Sequence, residues 1–283
     1  MGAAGIKANK RKSQIRQAIL HTIIGVLLFM MLYPLAMAFW NVFKSDLTYM
    51  TSRWYPTFPL RTSNIPVAFR ATKGYMLNTV IVAATGPTAM LFISSLAAFT
   101  FSKMNFPGRR ILFAVVLALM MVPGVLTLVP TFILYKSFGL NNNLLALILP
   151  IATGGCVFGV FLLTAFFTGL PKDLFESAKI DGAGDFLCFL RIALPLCMPI
   201  IGTLLIMQLV GVWNDYLWPM VIMTDTEKMT ISAGLVLSFS SQYKTNYPVT
   251  FAGYLIASSP LILIFIAANR FYIEGLISSS IKM

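Results

Sequence analysis

Charge is what this sequence most lacks. Only 11% of its 283 residues are Asp, Glu, Lys or Arg, while 58% are hydrophobic. A soluble domain carries roughly 25% charged and 45–50% apolar residues, so the excess apolar surface must face something other than water. Histidine is nearly absent too. The one copy, His21, stands far from Cys156, Cys188 and Cys197. That leaves no Cys/His cluster for a metal and little material for acid–base catalysis. We assign no catalytic and no metal-binding residue. Three cysteines cannot form a complete disulfide set, and their apolar surroundings suit plain packing. No glycine is followed by lysine, which excludes the G-x-x-x-x-G-K-[ST] phosphate cradle. Any ATP hydrolysis tied to this chain must reside in another polypeptide.

What is present is apolar sequence in long runs. Six stretches are nearly free of charge: 18–40, 76–101, 111–135, 143–168, 196–224 and 250–273. Each meets the length of about 20 residues that a helix needs to cross a bilayer. Helices are expected because lipid offers no partner to unpaired backbone groups. A barrel would show short alternating segments, and runs such as Ile111–Met121 do not alternate. The fold class is therefore all-α, a polytopic membrane protein with six transmembrane helices. Residues 1–17 form an amino-terminal segment, 18–273 the membrane domain and 274–283 a tail. The first run has a basic leader (Lys7, Lys10, Arg11, Lys12, Arg16) and an Ala36-Met37-Ala38 sequence resembling a cleavage site. Its length of 23 residues exceeds the roughly 7–15 of a signal core, so we read it as an uncleaved span. Glycine and proline interrupt the pattern at Gly86-Pro87, Pro123-Gly124 and Gly154-Gly155. These positions serve either bending or close helix packing.

The net charge of +12 does not indicate nucleic acid, because the basic residues sit at the ends of apolar runs. Thirteen Lys and Arg fall on the side of the termini and eight on the other. Basic residues mark the cytoplasm, so both termini are expected there, in a bacterial cytoplasmic (inner) membrane. The loop 41–75 runs against that rule, with Lys44, Arg53, Arg61, Arg70 and Lys73. Its Trp54, Tyr55, Pro56, Pro59 and Pro66 suit an ordered, irregular segment. The loop 225–249 is polar and aromatic (Ser238, Ser240, Ser241, Gln242, Tyr243, Tyr247, Pro248). The two are either connectors or a landing surface for an extracytoplasmic partner.

The segment 169–195 is unlike a short basic inside loop. It holds Asp173, Glu176, Asp181 and Asp185. Pro171 suits a first helical turn, and acids there favour the positive end of the helix dipole. Leu174, Phe175 and Ala178 share one face. Gly182 and Gly184 stop the helix, Asp185 is placed to cap a second helix over 186–193, and Pro195 ends it. An acid-bearing amphipathic helix fits a protein groove better than anionic lipid.

Glu176-Ser177-Ala178, then three residues, Gly182, nine residues, Ile192, one residue and Leu194-Pro195 resemble the EAA loop of ABC importer permeases; Ser177 departs from the usual Ala. Asn141–Asn143 ahead of Leu147-Ile148-Leu149-Pro150 resembles the lead into that family's fourth span. Trp213-Asn214-Asp215-Tyr216 resembles a segment of the carbohydrate branch, the second permease of maltose- and glycerol-phosphate-type importers. The tail, Phe271–Leu276 and Ser278–Lys282, is similar to that branch's carboxyl terminus, with Met283 in place of the usual final glycine. The resemblance implies the type I importer transmembrane fold, with ATPase coupling through Leu174, Phe175, Glu176, Ser177, Ala178, Asp181, Gly182, Ile192, Leu194 and Pro195. It implies as partners two copies of a cytoplasmic ABC ATPase, which holds the ATP and Mg. It also implies a second, related but non-identical permease and an extracytoplasmic solute-binding protein. The chain itself needs no cofactor.

For a substrate pathway the candidates are Gln208, Trp213, Asn214, Asp215 and Tyr216. Aromatic faces suit the C–H surfaces of sugars, and Asn and Asp suit hydroxyls. The same cluster could instead form an aromatic belt at the outer interface. A sugar or oligosaccharide is the expected cargo. Import of an amino acid, phosphate or metal by the same machinery, or an ion-driven secondary transporter, remain as alternatives.

Overall fold

The computed structural model describes residues 3–240 and 246–280, with side chains described for 13–238 and 246–267. The basic residues Lys7, Lys10, Arg11, Lys12 and Arg270, residues 240–243 of the second loop and the tail pattern from Phe271 onward lie outside the described side chains. Among the described residues every regular element is a helix. They are α1 (Ala3–Asn41), α2 (Asp46–Ser52), α3 (Asn64–Lys103), α4 (Arg109–Leu119), α5 (Gly124–Ser137), α6 (Leu145–Thr168), α7 (Lys172–Ile180), α8 (Asp185–Cys188), α9 (Leu194–Leu196), α10 (Met198–Asn214), α11 (Leu217–Ile222), α12 (Ile231–Ser240) and α13 (Tyr247–Ser280). A π-helical turn, Phe189–Ala193, joins α8 to α9, and a 3₁₀ turn, Thr226–Lys228, precedes α12.

Four helices are long and apolar enough to cross a membrane, and six spans result if two bent pairs each count as one. The pairs are α4 with α5, bent by 96°, and Asp185–Leu196 with α10, bent by 76°. The chain divides into two compact units, residues 3–70 with 246–255, and 71–240 with 256–280.

In the first unit the apolar run of α1 stays exposed, with Phe29 at 66% and Met31 at 72%. The segment after it is ordered by buried polar groups. The Asn64 amide donates to the carbonyls of Val42 (2.6 Å) and Lys44 (2.8 Å). The Lys44 ammonium is buried and donates to the carbonyls of Ser52 and Tyr55. Ser45 caps α2 by accepting from the Thr48 N–H at 3.1 Å. Tyr49 stacks on Tyr247 with ring centroids 4.9 Å apart. Residues 41–75 are thus partly helical, where composition suggested irregular chain.

The second unit is built around α3, α6 and α10. The glycine and proline pairs resolve differently from one another. α3 runs unbroken through Pro87 and α6 through Gly154-Gly155. A Cβ on Gly159 would meet Ser94 Oγ at 2.8 Å, and one on Gly86 would meet Ile151 at 3.0 Å. Small residues here serve close approach of α3 and α6. Only Pro123-Gly124 breaks a helix. Pro123, extended at φ −62°, ψ 127°, precedes α5 and turns the chain. The fifth apolar run is likewise divided, because Asp215 is extended (ψ 116°) between α10 and α11. The loop after it is largely helical rather than a polar connector: α12 buries Ile231, Ala233 and Leu235.

Candidate functional site

α7 ends in a glycine stop. Gly182 has φ +85°, which an L side chain rarely adopts. Its N–H donates to Lys179 O (3.0 Å) and the Ala183 N–H donates to Ala178 O (2.9 Å), the paired closure of a helix end by a left-handed glycine. Pro171 stands one residue before the helix, as its N-cap. Asp185 does not cap α8; Gly184 holds that position without a side-chain bond. The Asp185 carboxylate instead pairs with Lys179 across the glycine turn at 2.8 Å. This hydrogen bond and the carboxylate charge push the Lys179 pKa above its ordinary value. Pro195 lies inside α9, so the chain turns two residues later, at Cys197 (φ −102°, ψ 9°).

The turn and the helices beside it rest on one apolar cluster. Phe99, Phe167, Phe175, Phe189, Ala193 and Leu204 are all buried in it, and Ala178, Ile192 and Leu194 pack against it. Phe99 touches Phe167, Phe175 and Phe189, with centroids 6.3, 6.2 and 5.5 Å apart. The apolar positions of the 176–195 pattern therefore share a physical role: they hold α7 and the turn after it against α3, α6 and α10.

α7 presents two faces. Lys172, Phe175, Glu176 and Lys179 line a cavity behind it. Ser177, Ile180 and Asp181 are exposed on the other side, with Leu174 (44%) at its edge. Glu176 and Ser177, neighbours in sequence, thus point different ways. Ile180 is 87% exposed and was missed in the sequence, because it lies off the Leu174–Phe175–Ala178 face; its signal was an apolar residue on the polar side of the helix.

The second group of candidates is split as well. Gln208 and Asp215 line one cavity of about 290 Å³, together with Gly154, Gly155, Trp218 and Thr230. Asp215 Oδ1 accepts from the Trp218 N–H (3.3 Å), and the Trp218 indole donates to Ala146 O (2.8 Å). Trp213 does not join them. It is 4% exposed, its indole donates to Ala257 O at 2.9 Å, and it packs with Ile231 and Leu235. Asn214 bonds within its own helix, to Val210 O (2.9 Å), and Tyr216 is exposed. Asn142, at φ +59°, braces the far end of this region. It accepts from the Asp225 N–H on its side chain (3.0 Å) and from Lys228 on its carbonyl (3.3 Å).

These features define a polytopic α-helical membrane protein that carries an aromatic-anchored helix and glycine turn between two of its apolar segments. The chain belongs to the family of inner membrane components of binding-protein-dependent transport systems, whose model matches residues 90–276. It is an ABC importer permease, a transport component rather than an enzyme. It is 34% identical to the diacetylchitobiose uptake system permease protein NgcG of Streptomyces coelicolor, over 69% of this chain and 65% of that protein. The match thus spans just under two thirds of that relative's length. It is 31% identical to the probable ABC transporter permease protein YurM of Bacillus subtilis, over 96% of this chain and 92% of that one. Its fold matches a chain of a bacterial ABC transporter involved in import of the acidic polysaccharide alginate. The TM-score is 0.84 at 19% identity, covering 93% of this chain and 98% of that one.

Proposed function

We propose that this chain forms part of the translocation pathway for a sugar or oligosaccharide and couples it to a separate ATPase through α7. The observation that carries this reading is the arrangement of α7 itself. One side is locked by Phe175 into the aromatic cluster, while Ser177 and Ile180 stand exposed on the other. A helix so built can pass a push from an outside protein to α3, α6 and α10 without absorbing it.

The remaining parts follow from that role. Both termini and α7 lie in the cytoplasm, against two ATPase copies that handle ATP and Mg. A second, related permease completes the pathway, and an extracytoplasmic binding protein delivers cargo. ATP binding closes the ATPases and turns the pathway outward; hydrolysis returns it inward. A saccharide cargo is supported by the 34% identical relative, the permease of a diacetylchitobiose uptake system. It is also supported by the chemistry of the Gln208–Asp215 cavity, where an amide, a carboxylate, a hydroxyl and an indole face one space. Gln208 and Asp215 are the pathway residues we favour, with Asn214 and Tyr216 nearer the surface.

Crosslinking tests the coupling. In the assembled complex, Ser177→Cys and Ile180→Cys are expected to form crosslinks to the ATPase subunit. Absence of crosslinks from both positions, with the complex intact, would refute the assignment. Uptake into vesicles supplied with the binding protein tests the cargo, with saccharides expected to be carried in preference to amino acids, phosphate or metals.

A further inference from the structure

We propose that the cavity behind α7 binds the phosphate of an anionic phospholipid headgroup. The cavity encloses about 420 Å³ and is walled by four cations, Lys103, Arg109, Lys172 and Lys179, with two carboxylates, Glu176 and Asp185. Asp185 is taken by Lys179 at 2.8 Å. Three cations then face the one remaining carboxylate, and no ion pair to Lys103, Arg109 or Lys172 occurs among the described residues.

Their present partners are neutral. Lys103 donates to Leu170 O (2.8 Å) and lies 4.6 Å above the Phe175 ring. Arg109 donates to Met104 O and Asn105 Oδ1, both at a long 3.3 Å. Lys103 and Lys172 act on each other as like charges. A phosphate between them would relieve that repulsion and give the guanidinium a charged acceptor. The cationic surface continues outward, because a second cavity of about 590 Å³ shares Asn105 and Arg109 and adds Arg110.

Position favours a lipid over an acidic protein segment. Three ends of candidate spans meet at the cavity: α3 ends at Lys103, α4 begins at Arg109 and α6 ends at Thr168. Span ends sit at headgroup depth, where basic pockets attract anionic lipid. Phe99 and Phe175 give the cavity an apolar wall. Exposed Ile111, Leu112 and Phe186 in the adjoining elements offer surface for acyl chains. The proposal does not depend on the cargo or on the ATPase contact.

The test is native mass spectrometry of the assembled complex in neutral detergent, titrated with phosphatidylglycerol and, separately, with phosphatidylcholine. Wild type is expected to retain phosphatidylglycerol selectively. Each surface Lys or Arg near an anionic headgroup is worth a factor of about five in affinity, so Arg109→Gln with Lys172→Gln is expected to weaken retention about twenty-five-fold. Lys172→Arg alone is expected to keep it, which separates lost charge from lost folding. Phosphatidylglycerol displaced by millimolar inorganic phosphate would assign the cavity to a free anion and overturn the lipid. So would a crosslink from Lys172→Cys to a partner protein with no lipid retained. Equal retention by wild type and the double variant would overturn the site altogether.

Discussion

Phe175 of α7 meets Phe99 of α3 with ring centroids 6.2 Å apart, beneath the Lys103 ammonium. This contact ties the short helix to a long apolar one. Phe175→Ala removes a ring that is 6% exposed, a change that costs about 3 kcal/mol or more in a packed core. Thermal unfolding of the purified complex should show the loss, and cargo-stimulated ATP hydrolysis should fall with it. Phe175→Leu, which refills most of the space, should recover much of both.

Gly182 closes α7 with a positive φ. Space is not the constraint, since a Cβ there would meet nothing within 4 Å; the backbone is. Gly182→Ala should cost about 1–2 kcal/mol locally, and Gly182→Asn should cost less, as Asn tolerates that region. Gly182→Trp should leave the protein inserted, measured by membrane fractionation, while abolishing cargo-stimulated ATP hydrolysis. Full stimulation in the Trp variant would remove the turn from the coupling path.

The Lys179–Asp185 pair gives a pH prediction. Asp185 raises the Lys179 pKa above its ordinary 10.5. For a raised lysine the stabilisation is fully present below the ordinary value and is lost only as pH climbs through the folded value. The difference in melting temperature between wild type and Lys179→Met should therefore be flat from about pH 6 to 9 and shrink above the lysine range. It should be small throughout, because both side chains are about half exposed and such pairs contribute little.

Lys44 explains one of the sequence's contradictions. Five basic residues in 41–75 oppose the charge rule for orientation, yet Lys44 is 2% exposed and donates to two backbone carbonyls. A lysine held inside a fold serves structure and says nothing about which side it faces. Burial also lowers its pKa. Lys44→Met keeps the apolar stem but strands the carbonyls of Ser52 and Tyr55, at about 1–3 kcal/mol each. The expected result is a lower melting temperature with unchanged membrane topology, read by cysteine accessibility.

In the cavity formed by Gln208 and Asp215, Gln208→Leu and Asp215→Asn should each reduce cargo uptake in vesicles. Basal ATP hydrolysis should persist, because neither side chain belongs to the α7 cluster. Trp213→Phe should behave differently, lowering stability through the lost bond to Ala257 rather than altering cargo preference.

Much of this was legible because local rules acted alone. α7 could be read from Pro171, its acids and Gly182, since start, dipole and stop are all encoded within twelve residues. The long apolar runs announced themselves by length. What the sequence hid depended on distant partners. Asp185 looked like a cap because Lys179, six residues back, comes within reach only after the glycine turn. Trp213 looked like a sugar platform because Ala257, its acceptor, lies far along the chain. α12 was hidden by its serines and by the polar residues that follow, although Ile231, Ala233 and Leu235 go inside. Gly86 and Gly155 read equally as hinges or as packing sites until Ile151 and Met90 stood opposite them.

The elbow at Pro123 carries a further consequence. α4 has 11 residues and α5 has 14, or about 16 and 21 Å of helix, and each falls short of the ~30 Å of hydrocarbon. At the corner between them Met121 is 83% and Val125 78% uncovered. The bend still keeps backbone donors paired, since the N–H groups of Met120, Met121, Val122 and Leu126 each bond to the carbonyl three residues back, as chain at membrane depth requires. What the corner leaves uncovered is apolar side-chain surface, fit for acyl tails or for a neighbouring helix.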